Sequence, residues 1–169
     1  RPPAASLIAA RRAPLAAPDA AAAGTPRRDT GLEKLRQAEA ASRRRDAKIT
    51  ESDSAPIHPA RLIAEVERFS DPDAIFVGDG GDFVSFAGRL LERPRPGLWI
   101  DPGPYGCLGS GPAYALAANV AHPDSLVILL AVDRAFGLSR MAYATIVRQR
   151  LSVVCVNSNN RIWDIKQQH

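Results

Sequence analysis

The sequence has 169 residues, a hydrophobic content of 46% and a formal net charge of +4, enough chain for one ordinary domain with a core. No apolar run approaches the length of a membrane span, so no membrane partner is expected. The basic residues crowd into the first half, as Arg11-Arg12, Arg27-Arg28 and Arg43-Arg44-Arg45, but no aromatics interleave with them. Base stacking lacks a platform, and a nucleic-acid partner is not expected either.

In chain order, residues 1–28 are rich in Ala, Pro and Arg without an apolar period, and read as an unstructured tail. The same composition also suits an organellar transit peptide. Residue 1 is Arg, so a processed chain or a piece of a longer one is expected. Good helix formers from Gly31 to about Ala47, with Thr30 as a cap, predict a helix whose apolar face (Leu32, Leu35, Ala38, Ala41) is thin. It is the main part of a linker, 29–57. A domain over 58–169 follows. Pro59 opens a helix in which Leu62, Ile63, Val66 and Phe69 form one buried stripe, and Ser70 to Asp73 is a turn. Ala74–Val77 is a short strand, Phe83–Leu91 a helix, Leu98–Ile100 a strand and Gly111–Val120 a helix. Leu126–Val132, a helix from about Leu138 to Arg150, and the strand Val153–Val156 complete the series. Strands alternating with helices predict an α/β fold, a parallel sheet with helices on both faces, preceded by a disordered or helical extension.

The two apolar runs at the end organise the chemistry. Leu126–Val132 ends on Asp133, and Val153–Val156 ends on Asn157-Ser158-Asn159-Asn160. Both read as buried parallel strands joined by a crossover helix, so their carboxyl ends share the sheet edge where such folds bind ligands. Asp133 and Asn160 then stand on adjacent tips. A carboxylate beside an amide oxygen suits Mg²⁺ that already carries phosphate oxygens. Taken alone, Asp133 also reads as a helix N-cap, and Gly78-Asp79-Gly80-Gly81-Asp82 as a strand-to-helix turn. The dispersed histidines, His58, His122 and His169, nominate no hydrolytic triad. Cys107 and Cys155 lack metal spacing and suit a reduced, cytoplasmic setting.

Asp133-Arg134-Ala135-Phe136-Gly137 followed by Asn159-Asn160-Arg161-Ile162-Trp163 resembles the Gly-Asp-Gly to Asn-Asn signature of thiamine-pyrophosphate enzymes. With Gly78–Ser85 and Asp101–Gly111, the resemblance extends to the acetolactate synthase-like branch, from about Asp29 onward. It implies the diphosphate-holding domain of such an enzyme, C-terminally truncated, with thiamine pyrophosphate and Mg²⁺ as cofactors. By the resemblance, Asp133, Asn160 and the carbonyl of Ile162 would hold the metal. Gly81, Asp82, Arg134 and Ala135 would lie by the diphosphate, in a loop set that also includes Gly106 and Cys107. Leu108 would wedge the cofactor into a bent shape, the alternative being simple core packing. Trp163 matches the aromatic after Asn-Asn.

Val132 and Arg134 stand where the family has glycine, and are expected to weaken cofactor binding. The implied chemistry is 2-oxo acid decarboxylation and carboligation, as in branched-chain amino acid biosynthesis, by a homo-oligomer (dimer or tetramer). The activating glutamate of that family comes from a separate domain of a partner subunit. No stretch here resembles it, nor the middle domain that holds FAD in some members. No catalytic residue is therefore assigned, and the chain alone is expected to turn nothing over. A 2-hydroxyacyl-CoA lyase or decarboxylase-like segment and a non-catalytic remnant are the alternatives.

Overall fold

The computed structural model describes residues 29–159, so the tail 1–28 and Asn160, Ile162 and Trp163 lie outside the described residues. The chain divides into two units, 1–44 and 45–169. Helix α1, Asp29–Thr50, includes the boundary. It is longer than the expected Gly31–Ala47, and Leu32 and Leu35 on its thin apolar face are exposed. Its local support is polar: Gln37 Nε2 donates to Glu33 at 3.2 Å and Arg43 pairs with Glu39 at 2.7 Å, i,i+4 contacts worth a few tenths of a kcal/mol each, or about 0.2–0.5.

Among the described residues the second unit carries a four-stranded parallel sheet in the order β2-β1-β3-β4. The strands are β1, Ile75–Asp79; β2, Trp99–Ile100; β3, Val127–Val132; and β4, Val153–Ser158. Side chains alternate across it, as the two-residue strand period demands. Ile75, Val77, Val127, Leu129 and Ala131 face one side, where Ala115 and Ala118 of α4 (Gly111–Ala121) meet them, with Tyr143 of α6 (Arg140–Arg148) packed alongside. Phe76, Ile128 and Leu130 face the other, against Ile63 of α2 (Pro59–Arg68) and Phe83 and Ala87 of α3 (Asp82–Leu90). Helices thus cover both faces. The buried core is mostly aliphatic, with Phe76 and Phe83 as its aromatic members, and each large side chain fully enclosed in it contributes about 1.5–3 kcal/mol.

Three expectations change. Helix α2 starts as its sequence implies, with His58 as N-cap accepting the Ala60 N–H on Nδ1 at 3.1 Å, but it stops at Arg68. Phe69 becomes the C-cap, leaves the apolar stripe and is 86% exposed. The helix expected from about Leu138 to Arg150 is α6, Arg140–Arg148, and the stretch before it is itself a short helix, α5, Asp133–Leu138, separated from α6 by Ser139. Finally, β4 is not a buried strand. Among the described residues it pairs only with β3, and as the outermost strand it leaves Val154 and Cys155 exposed.

Chain direction reverses between β1 and β3. From β1 the chain moves outward to β2 through α3, then returns across β1 through α4 to β3. The carboxyl ends of β1 and β3 are therefore a topological switch point, the place where open α/β sheets bind ligands.

Candidate functional site

Every described residue singled out as cofactor-binding follows the carboxyl end of a strand, so all belong to one edge of the sheet. Gly81 and Asp82 follow β1, where Gly81 is the N-cap of α3 with no side-chain cap bond and Asp82 lies in its first turn. Gly106, Cys107 and Leu108 lie in the loop after β2. Asp133, Arg134 and Ala135 open α5 directly after β3. Asp133 is half-buried and is the first helical residue rather than the N-cap, which is Val132. One of its carboxylate oxygens accepts the N–H of Arg134 at 2.8 Å. Ala135 is buried and Arg134 exposed. Val132 pairs in register with Ser158, so β3 and β4 end level with each other.

The glycine-rich loop after β2 is fixed at both ends. Asp101 accepts the Trp99 indole N–H at 2.8 Å and the Gly103 N–H at 2.7 Å. At the far end Ser110 Oγ donates to the Cys107 carbonyl at 3.2 Å. Tyr105 and Cys107 are exposed and Leu108 is half-buried.

Sequence reading did not single out Asp79, the last residue of β1. Its side chain is fully buried, and its two oxygens accept the N–H groups of Gly109 and Gly111, both at 2.8 Å. A carboxylate in a buried run needs such donors. The signal was present: an acid ends an otherwise apolar strand. Its partners, some thirty residues further along, were not legible. Burial pushes the Asp79 carboxyl above its ordinary value, and the two backbone N–H bonds pull it partly back. With the folded value raised, the unfolded chain gives up this proton first. The contribution of Asp79 to stability therefore falls as pH rises from the ordinary carboxylate value to the folded one, and is level above it. Urea denaturation at a series of pH values is expected to show that decline in the wild type and a flatter profile in Asp79→Asn.

Glycines set the closeness of the tips. A methyl group at Gly80 would meet Val132 Cγ1 at 2.8 Å and Cγ2 at 2.9 Å, so Val132 packs directly onto the glycine at β1's tip. Gly109 has a left-handed backbone (φ +84°) and no room for a Cβ beside Leu138. Its carbonyl accepts a hydrogen bond from Ser139 Oγ, at the break between α5 and α6. The glycine loop is thus held from β1 on one side and from the α5–α6 junction on the other.

Nearby, the Cys155 thiol of β4 lies 3.7 Å from the Tyr143 hydroxyl. Burial, and then Cys155, push that phenol well above its ordinary value. Both cysteines are free. Among the described residues no three His, Cys, Asp or Glu side chains gather to hold a metal by themselves. A cation beside Asp133 would therefore need other oxygens, as Mg²⁺ on a phosphate ester does.

Comparison with known proteins agrees with this architecture. Residues 79–169 match the family described as thiamine pyrophosphate enzyme, C-terminal TPP binding domain. The chain is 46% identical over 136 residues to the acetolactate synthase large subunit IlvG of Mycobacterium tuberculosis, covering 80% of this chain and 25% of that protein. It is 35% identical over 136 residues to human 2-hydroxyacyl-CoA lyase 2, covering 78% and 21%. Among solved structures, a thiamine diphosphate-dependent 4-hydroxybenzoylformate decarboxylase of Rhodococcus jostii RHA1 superposes with a TM-score of 0.60 at 28% identity, over 64% of this chain and 20% of that one. The chain thus spans about a quarter of the length of the acetolactate synthase it matches.

Proposed function

We propose, since the chain belongs to the thiamine pyrophosphate enzymes and carries their C-terminal TPP binding domain over residues 79–169, that it is the diphosphate- and Mg²⁺-holding segment of an acetolactate synthase-like enzyme. The observation that carries this reading is the reversal between β1 and β3, with Asp133 at the tip of β3 and the glycine loop pinned to the tip of β1. The described residues fit the group. Asp133 offers a hard oxygen, α3 starts at a glycine with no side chain over its first amides, and Gly109 and Gly111, packed tightly on Leu138 and Asp79, hold the glycine loop against the tips of β1 and β3. Val132 is accommodated against Gly80 rather than left without a place.

In this reading Asp133 would contribute a carboxylate oxygen to Mg²⁺, with Asn160 and the carbonyl of Ile162 as further ligands. Gly81, Asp82, Arg134 and Ala135 would line the diphosphate, and Gly106, Cys107 and Leu108 would support the ring end. Bound thiamine pyrophosphate supplies the electron sink for making or breaking a bond next to a carbonyl. The residues of this chain bind and orient it. The activating glutamate would come from another domain of a partner subunit in a cytoplasmic homo-oligomer acting on 2-oxo acids, so this chain alone turns nothing over. The 35% identity to a 2-hydroxyacyl-CoA lyase favours a second reading, a segment of that enzyme. The higher identity to acetolactate synthase over the same length supports the first.

Calorimetric titration of the chain with thiamine pyrophosphate tests the proposal. Saturable heat that needs Mg²⁺ and disappears in Asp133→Ala is the expected result. No heat at millimolar cofactor would reject it in favour of a non-catalytic remnant.

A further inference from the structure

We propose that Asp79 is a positioning residue, a buried carboxylate strap that sets the place of the Leu108 loop against the ring end of the cofactor. The inference rests on the functional reading above and adds a residue to it. Asp79 sits at the tip of β1, fully buried, and each of its two oxygens takes one backbone N–H of the loop, from Gly109 and from Gly111. Two bonds from one rigid carboxylate fix both the position and the tilt of the segment between them. Gly109 is gripped a second time, through its carbonyl, by Ser139 Oγ. Leu108 is the next residue back, so its backbone has little freedom, although the loop that carries it is otherwise exposed at Tyr105, Gly106 and Cys107.

Alternative roles for Asp79 fit less well. It does not cap the helix that follows it, whose N-cap is Gly81. Each of its oxygens faces a backbone N–H, and among the described residues it belongs to no cluster of three metal-ligating side chains. Gly111 is fitted to it closely, since a methyl group there would lie 2.4 Å from Asp79 Cβ. The strap therefore requires an acid at residue 79 and glycine at residue 111 together.

Amide exchange followed by NMR on the 169-residue chain reads the strap first. The Gly109 and Gly111 amides are expected to be protected like those of β1. Exchange as fast as that of the exposed residue Cys107 would overturn the proposal. Asp79→Asn keeps the size of the side chain but turns one acceptor into an N–H₂ group facing an N–H donor, so one of the two amides should exchange about tenfold faster or more.

The second readout separates positioning from stability. Binding of thiamine pyrophosphate and of inorganic pyrophosphate, each with Mg²⁺, is measured in wild type and variant. Asp79→Asn is expected to weaken thiamine pyrophosphate about tenfold while changing inorganic pyrophosphate less than about twofold. Equal weakening of both, or no change in either, would overturn the proposal. Should Asp79→Asn not fold, Ser139→Ala, which releases the carbonyl of the same glycine, is expected to give the same split at smaller size, and equal weakening there counts against it. If the wild type binds neither probe, the functional reading fails, and the strap stands or falls on amide exchange alone.

Discussion

Gly111→Ala is expected to destabilise the second unit by about 3 kcal/mol, the upper end of what overpacking a filled site costs. The added methyl would lie 2.4 Å from Asp79 Cβ, 2.8 Å from Asp79 Oδ2 and 2.8 Å from Leu129 Cδ1. None of these is the loose end of a flexible side chain. Asp79 is held by two hydrogen bonds and Leu129 is fully buried in the central strand, so relief requires moving the start of α4 away from the sheet. Urea denaturation monitored by circular dichroism measures the loss. Gly137→Ala is the control: nothing lies within 4 Å of a methyl group there, and in a helix the change should stabilise by up to about 1 kcal/mol. Equal midpoints for the two variants would show that the α4 start yields easily.

The second large effect is at Phe76, fully buried in β1. Phe76→Ala is expected to cost about 3–5 kcal/mol through the lost burial and the cavity. Phe76 also carries the guanidinium of Arg93, whose Cζ stands 4.7 Å from the ring centre. Arg93 is 11% exposed, pairs with Glu67 at 2.8 Å, and has no hydrogen-bond partner for Nε or Nη1. A cation that enclosed, with two donors unsatisfied, is poorly compensated. Arg93→Met is therefore expected to fall within about 1 kcal/mol of wild type or to stabilise, because the thioether keeps contact with the ring. Thermal unfolding of both variants checks the contrast. A large loss in Arg93→Met would mean that the ion pair with Glu67 outweighs the cost of burying it.

The sheet was legible because its code is local. The run Leu126–Val132 is apolar throughout, as a strand covered on both faces must be, and its end on Asp133 marked the carboxyl edge of the sheet. The helix–strand alternation gave the layers. Phe69 misled, because spacing alone continues the α2 stripe by one more turn, whereas Ser70 and Pro72 stop the helix first. Val153–Val156 misled for another reason: an apolar run does not say whether a strand is central or outermost. Ser139, at the break between α5 and α6, bonds the Gly109 carbonyl, a partner thirty residues away in sequence. The same holds for Asp79. Contacts of that separation depend on the closed topology, and no local pattern announces them.

The strand order also governs when the proposed cofactor crevice can come into being. Its two walls are β1 and β3, which align Ile75 with Val127 and Asp79 with Ala131, so one wall is synthesised well before the other. Until the later wall emerges, β1 can zip only to the two-residue β2, and its other edge stays open. Closing a long loop comes before any gain from that pairing, which makes parallel crossovers slow to form. The nascent chain should consequently expose the hydrophobic flank of Phe76 and Val77 to chaperones until residue 132 has left the ribosome, and a product stopped short of β3 would have no crevice at all.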